Sequence, residues 1–319
     1  MLLPVNGIAR PASPLLDVAP AEENRVSTLM RLRARLSRTG FRAPLVWARH
    51  LGLDSSDVFL ASYPRSGNTL LRFPLAETIS GALCSFQNVQ RIVPEIGVHV
   101  DAYPLLPSGG RLIKTHERYR RQYRRAIYVV RDVRDVVLSA FSREAAMNIV
   151  DRDLDSYIEA FMQGRMSRWG AWQDHIEEWL QSPLARNGNL LVMRFEDVSK
   201  DIERSVARVL GFLSLQADQV AIQKACANNS IDKMRAKEDQ SSTLPKARVQ
   251  AGRLINSGSI NGWRQRLSGP QVALIEQYAG SLLSRLGYET SRAVEGTKPD
   301  VAGQEFAGSE PTLPETIDK

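Results

Sequence analysis

The run DVFLASYPRSGNTLLR, residues 57–72, decides how this 319-residue chain is read. Val58 to Tyr63 is an apolar stretch of buried-strand length, a turn containing Pro64 and Gly67 follows, and helical spacing takes over at about Thr69. A strand that turns directly into a helix gathers unpaired backbone N–H groups at the positive end of the helix dipole, so that point attracts anions. Arg65 adds a fixed cation, while Ser66, Asn68 and Thr69 add short polar side chains. The loop therefore has what a phosphate or sulfate site requires. An ordinary strand-turn-helix connection with an exposed arginine is the competing reading of the same residues.

Working outward, the pattern predicts strands alternating with helices. Leu112 to Thr115 and Ala126 to Val130 read as strands, Asp135 to about Ala146 as a helix, residues 155–181 as helical with Trp172, Ile176 and Trp179 on one face, and Leu190 to Phe195 as a further strand. Residues 199–213 and 270–286 are helical by spacing. This order implies βαβ units around one parallel sheet. The polar stretch 228–262 has no clear period and reads as a loop of the kind that covers ligands.

Two further segments bear on chemistry. Arg131 ends an apolar strand and Ser139 lies one helical turn beyond Asp135, so a cation and a hydroxyl can meet one anion; capping by Asp135 and surface exposure of Arg131 is the plainer alternative. In Leu112-Ile113-Lys114-Thr115-His116, strand alternation puts Lys114 and His116 on the same side. Of the other histidines, His175 shares a helical face with Trp172 and Trp179 and reads as packing. His99 stands in a loop-like segment as a candidate to border a substrate, and His50 has no distinctive context.

A Walker A loop requires G-x-x-x-x-G-K-[ST]; here Asn68 and Thr69 follow Gly67 without the lysine, which disfavours ATP with magnesium. Tyr63, Pro64, Ser66, Gly67 and Thr69 instead resemble the 5′-phosphosulfate loop Y-P-K-S-G-T-T-W of the sulfotransferase family that uses 3′-phosphoadenosine 5′-phosphosulfate (PAPS). Arg65 stands where cytosolic members have lysine, Asn68 replaces the first threonine, and Leu70 replaces the tryptophan that stacks on adenine. Arg131 to Ser139 resembles the family's 3′-phosphate motif R-x-x-x-D-x-x-x-S, and Lys114-Thr115-His116 its K-T/S-H motif. Phe195-Glu196-Asp197 resembles Y-E-D, and Asn229-Ser230-Ile231 with Met234 resembles the T-S-F…M segment that touches adenine. Gly258 to Trp263 resembles R-K-G-x-x-G-D-W, with Asn256 and Ser257 at the positions of the Arg-Lys pair and Arg253 or Arg248 as candidate substitutes. Together the echoes run from about 60 to 288.

The resemblance implies a single P-loop-NTPase-like α/β domain with a central parallel sheet flanked by helices. It implies metal-free transfer of a sulfuryl group from PAPS, leaving the product PAP, to a small-molecule, lipid or glycan acceptor. His116, Lys114 and Arg65 are the expected catalytic residues. Arg65, Ser66, Gly67, Asn68, Thr69, Arg131, Ser139, Phe195, Ser230, Ile231, Asn256, Ser257 and Gly258 are the expected nucleotide-binding residues. An ATP-dependent phosphotransferase and a non-catalytic nucleotide-binding protein are the alternatives.

Composition sets bounds on this. With 42 basic against 35 acidic residues the net charge is +7, which steers anionic partners. The basic residues are 34 Arg against 8 Lys. Residues 1–24 and 291–319 are Pro-, Ala- and Gly-rich, the latter acidic, and read as mobile tails around a basic helical segment at 25–54 and a domain at 55–290. No apolar run is long enough to span a membrane, and Pro4, Pro11 and Pro14 interrupt the opening where a signal peptide needs continuity. With only Cys84 and Cys226, no disulfide framework or thiolate zinc site is expected, and a cytoplasmic setting fits. The cluster Arg118, Arg120, Arg121, Arg124 and Arg125 lacks a nucleic-acid motif around it, so no nucleic-acid partner is expected; a homodimer is left open.

Overall fold

The computed structural model describes residues 42–146, 153–241 and 260–291. Four parallel strands, β1 (Val58–Ser62), β2 (Leu112–Thr115), β3 (Arg125–Val130) and β4 (Leu190–Arg194), form a sheet in the order β2-β1-β3-β4. Val58 pairs with Leu112 on one side and Arg125 on the other, so β1 and β3 form the centre.

Strand alternation builds two cores from one sheet. Phe59, Ala61, Ala126, Tyr128 and Val130 face one way, with Trp172, Ile176 and Trp179. Val58, Leu60, Ile127 and Val129 face the other, with Leu71, Phe73, Leu75 and Val209. The central strands are buried on both faces, which is why they read as unbroken apolar runs rather than alternating ones.

The helix after β1, Asn68–Ser80, packs on the second face, and the helix after β3, Val133–Ala146, supplies Val133, Val136, Val137 and Ala140 to the first. The chain thus leaves β1 and β3 toward opposite faces of the sheet. The carboxyl ends of β1 and β3 are therefore the switch point of the sheet, the place where open α/β sheets bind ligands.

Two expectations change. Residues 155–181 form two helices, Leu154–Met162 and Trp172–Leu180. Gly164 and Gly170 take positive φ (78° and 84°) in the break, where a side chain is strained. The polar stretch 228–262 opens with the helix Ile231–Asp239, anchored by buried Met234, so it is not structureless throughout; residues 242–259 lie outside the described residues. So do residues 1–41 and 292–319, which include both expected tails and most of the basic N-terminal segment. The described part of that segment contains a helix at Arg42–Arg49.

Candidate active site

The loop after β1 is shaped by two left-handed residues, Arg65 at φ 69° and Gly67 at φ 87°. Only glycine fits at 67, because a Cβ there would stand 2.1 Å from Cδ2 of Phe195. Gly67 caps the helix Asn68–Ser80 without any side-chain bond to its first N–H groups. The phenol of Tyr63 is buried and donates to Gly170 O (3.0 Å), tying the loop to the break between the two later helices.

Cations gather over this loop. Arg131 Nη1 donates to Arg65 O (3.1 Å), and its guanidinium lies 4.4 Å from the centre of the Phe195 ring. Arg65 Nε donates to Ser139 Oγ (3.0 Å). Burial, then the positive charges of Arg143 and Arg131, lower the pKa of Arg65 to about 10, and burial lowers that of Arg131. The charges of Arg143 and Arg131 act against that of Arg65 in this partly dry setting, and an anion beside Arg65 offsets that cost. The structure therefore brings Arg65, Arg131, Ser139 and Phe195 together, with Ser139 bonded to Arg65.

Ser66 Oγ is buried and has no hydrogen-bond partner among the described residues. An unsatisfied buried hydroxyl is costly, and a phosphate or sulfate oxygen would satisfy it. Asn68 behaves differently from the expectation of an anion donor. It is 3% exposed, and its Nδ2 donates inward to Leu60 O (3.1 Å) and Thr115 O (3.4 Å), pinning the helix start to the ends of β1 and β2. Thr69 stands half-buried in the first helical turn.

His116 follows β2 beside this loop. Its Nδ1 lies 2.8 Å from Ser62 O; a carbonyl only accepts, so Nδ1 carries the proton and Nε2 is the bare nitrogen. Burial, then the Lys114 charge, hold its pKa well below the usual 6.5, so the ring is neutral at physiological pH. Lys114 Nζ lies 3.6 Å from Glu95 Oε1. Backbone bonds from Lys114 N to Pro94 O (2.7 Å) and from Ile96 N to Lys114 O (2.8 Å) lay the Glu95 segment along β2. The indole of Trp169 meets the His116 ring edge-on at 5.6 Å.

The remaining motif residues divide. Glu196 accepts from Asp132 N (3.1 Å) and from the Tyr288 hydroxyl (2.8 Å), bracing the turn after β3. Both Asp135 oxygens accept backbone N–H groups, from Asn261 and Trp263 (2.9 Å each), so Asp135, the third residue of the helix Val133–Ala146, anchors the carboxyl-terminal motif, while Asp132 accepts from Arg134 N at the helix start. Ser230 precedes the helix Ile231–Asp239 without a side-chain cap bond, and Ile231 is 38% exposed. Asn256, Ser257, Gly258, Arg248 and Arg253 lie outside the described residues. His99 is buried against the opposite end of the sheet, where its carbonyl accepts from Arg111 (2.9 Å), away from the loop.

Sequence reasoning missed Glu95 and Trp169. For Trp169, Gly164 and Gly170 were a visible signal of a helix break; for Glu95, whose contacts are long-range, no local signal exists.

Sheet order, loop and clustered cations define an α/β protein with a cation-lined loop at its switch point. Residues 55–287 match the sulfotransferase domain, and the chain belongs to the PAPS-dependent sulfotransferase family, transferases of EC 2.8.2 type. It is 27% identical to cytosolic sulfotransferase 1 of Danio rerio over 244 residues, 70% of this chain and 80% of that protein. Among solved structures, retinol dehydratase in complex with androsterone and inactive cofactor PAP superposes at TM-score 0.57 with 19% identity, covering 76% of this chain and 84% of that one. A mouse sulfotransferase complexed with PAP gives TM-score 0.56 and 20% identity, covering 75% and 91%. Among the described residues no helix is long and apolar enough to cross a membrane, and no His, Cys, Asp or Glu group of three or more could hold a metal ion.

Proposed function

We propose that this sulfotransferase transfers the sulfuryl group of PAPS, without a metal, to a hydroxyl or amine of a small-molecule, lipid or glycan acceptor, with His116 as general base. The observation that carries the reading is the His116 ring: Nδ1–H is engaged by Ser62 O, which leaves a neutral, bare Nε2 beside a loop of buried cations. PAP in the solved structures that this chain resembles supports the choice of nucleotide. Ser66 Oγ, buried without a partner among the described residues, fits an anionic oxygen.

When bound, the nucleotide supplies an activated sulfuryl group. The acceptor oxygen or nitrogen forms a bond to sulfur as the sulfur–oxygen bond to the 5′-phosphate breaks, and His116 Nε2 takes the acceptor's proton. Arg65, Ser66 and the amides of Gly67 to Thr69 meet the charge that grows on the departing 5′-phosphate. Being fixed in place beforehand, they favour the transition state over the ground state. Lys114, held by Glu95, adds positive charge on the same side. Arg65 acts electrostatically, since a guanidinium hardly gives up a proton. Arg131 and Ser139 hold the 3′-phosphate that distinguishes PAPS from ATP, with Phe195 beneath Arg131. Ser230 and Ile231 border the adenine, and Asn256, Ser257 and Gly258 complete the 3′-phosphate site. The catalytic unit is residues 55–290, in a cytoplasmic protein.

The test is His116→Ala, assayed by transfer from radiolabelled PAPS to fractionated cell metabolites and by PAP calorimetry. Transfer should fall by about 10²- to 10⁴-fold while PAP affinity stays near that of the wild type. Near-normal transfer by the variant would remove the assignment.

A further inference from the structure

We infer that His175 is a positioning residue for this reaction, holding the His116 carbonyl from the helix Trp172–Leu180 and thereby setting the direction of the His116 imidazole. His175 is 0% exposed. Its Nε2 lies 3.0 Å from His116 O. A carbonyl oxygen only accepts, so Nε2 carries the proton and Nδ1 is bare. The bare Nδ1 lies 2.8 Å from the Tyr128 hydroxyl, which donates to it and so fixes the tautomer. One helical turn further, Trp179 Nε1 donates to Glu117 O (3.3 Å). Two residues four apart on one helix face thus clamp two consecutive carbonyls.

His116 is tethered at side chain and backbone: its ring Nδ1–H grips Ser62 O at the end of β1, and its carbonyl is held by His175. The His175 ring also meets Tyr63, the first loop residue, edge-on at 5.4 Å. Tyr128 lies in β3, three residues before Arg131. One buried imidazole therefore touches the phosphate loop, the base and the strand that delivers Arg131. Burial lowers its pKa to about 4, so it stays neutral at physiological pH and keeps the bare Nδ1 that Tyr128 requires.

The inference rests on His116 as general base, and three variants separate the two claims. In transfer from radiolabelled PAPS to the most active metabolite fraction, His175→Phe keeps an aromatic ring but loses the donor, and its turnover should fall about 10- to 100-fold, with PAP affinity near that of the wild type. His175→Gln retains an N–H that can reach the same carbonyl and should recover most of the loss. Wild-type turnover in His175→Phe, a glutamine variant no better than phenylalanine, or PAP affinity falling in step with turnover would each overturn the positioning role. Should His175→Phe fail to fold, nitrogen NMR of the wild-type ring decides: a protonated Nε2 with bare Nδ1 is expected, and the opposite tautomer overturns the inference. If His116→Ala remains active, the base assignment fails instead; an inactive His116→Ala beside an indifferent His175→Phe removes the positioning role alone.

Discussion

Two places at the ends of the sheet, the Asp57–Arg111 pair and the loop after β1, handle charge differently. At the amino end, Asp57 is 1% exposed and accepts from Arg111 Nε (3.0 Å), Arg111 Nη2 (2.7 Å) and the amides of Arg111 (2.9 Å) and Asp54 (2.8 Å). The rest of the Arg111 guanidinium is taken by His99 O (2.9 Å) and Gly52 O (2.7 Å). At the carboxyl end, Arg65 and Arg131 crowd together, and Ser66 Oγ has no partner among the described residues. A buried ion pair whose hydrogen bonds are complete holds structure, whereas clustered cations and an unpaired hydroxyl suit an anion from outside.

Substitutions at each end can break or sharpen that contrast. Arg111→Ala leaves Asp57 buried without its partner and should cost about 3–5 kcal/mol of stability in urea denaturation, with the PAP affinity of the folded protein unchanged. A variant that lost PAP binding while keeping its stability would erase the division between the ends. Gly67→Ala sets a Cβ against the Phe195 ring in a left-handed backbone, and overpacking of this kind costs about 1–3 kcal/mol. PAP binding should be lost with it, and calorimetry showing normal affinity would contradict the loop geometry.

Arg131→Ala should leave stability nearly intact and weaken PAP binding by about 1.5–3 kcal/mol, the range for a hydrogen bond to a charged group. An unaltered dissociation constant would place the 3′-phosphate elsewhere. A further prediction concerns pH. His175 and His99 have pKa values lowered from 6.5 to about 4, each mainly by burial. Below 6.5 the unfolded chain binds protons that the native state refuses, so stability should decline as pH falls from 6.5 toward 4. A flat stability profile across that window would show that these rings are not buried as described.

How much was legible in the sequence follows from the range of the interactions. β2 is the predicted strand, β1 and β3 differ from prediction by one end residue, and the strand-turn-helix shape of the 63–69 loop was readable, because a buried strand, a turn glycine and a helix start are local signals. Arg131 and Ser139 were readable as a spacing, but that Ser139 would bond Arg65 from 74 residues away was not. That the Asn68 side chain would turn inward was not readable either, because its partners, Leu60 O and Thr115 O, come from two different strands. The helical pattern over 155–181 hid its own break: Trp172, Ile176 and Trp179 share one face of the second helix, while Gly164 follows the end of the first and Gly170 stands just before the second. That break is what puts Trp169 against His116. Helical spacing marks His175 as packing, which its burial agrees with, yet its hydrogen bonds reach Tyr128 in β3 and His116 after β2, which no periodicity could connect.

The most direct measurement is a crystal structure of the protein soaked with PAP. The account predicts the 5′-phosphate against the amides of the 66–69 turn, within reach of Arg65 and the Ser66 hydroxyl, with the 3′-phosphate beside Arg131. Nucleotide bound elsewhere, with the 63–69 turn vacant at saturating PAP, would contradict it.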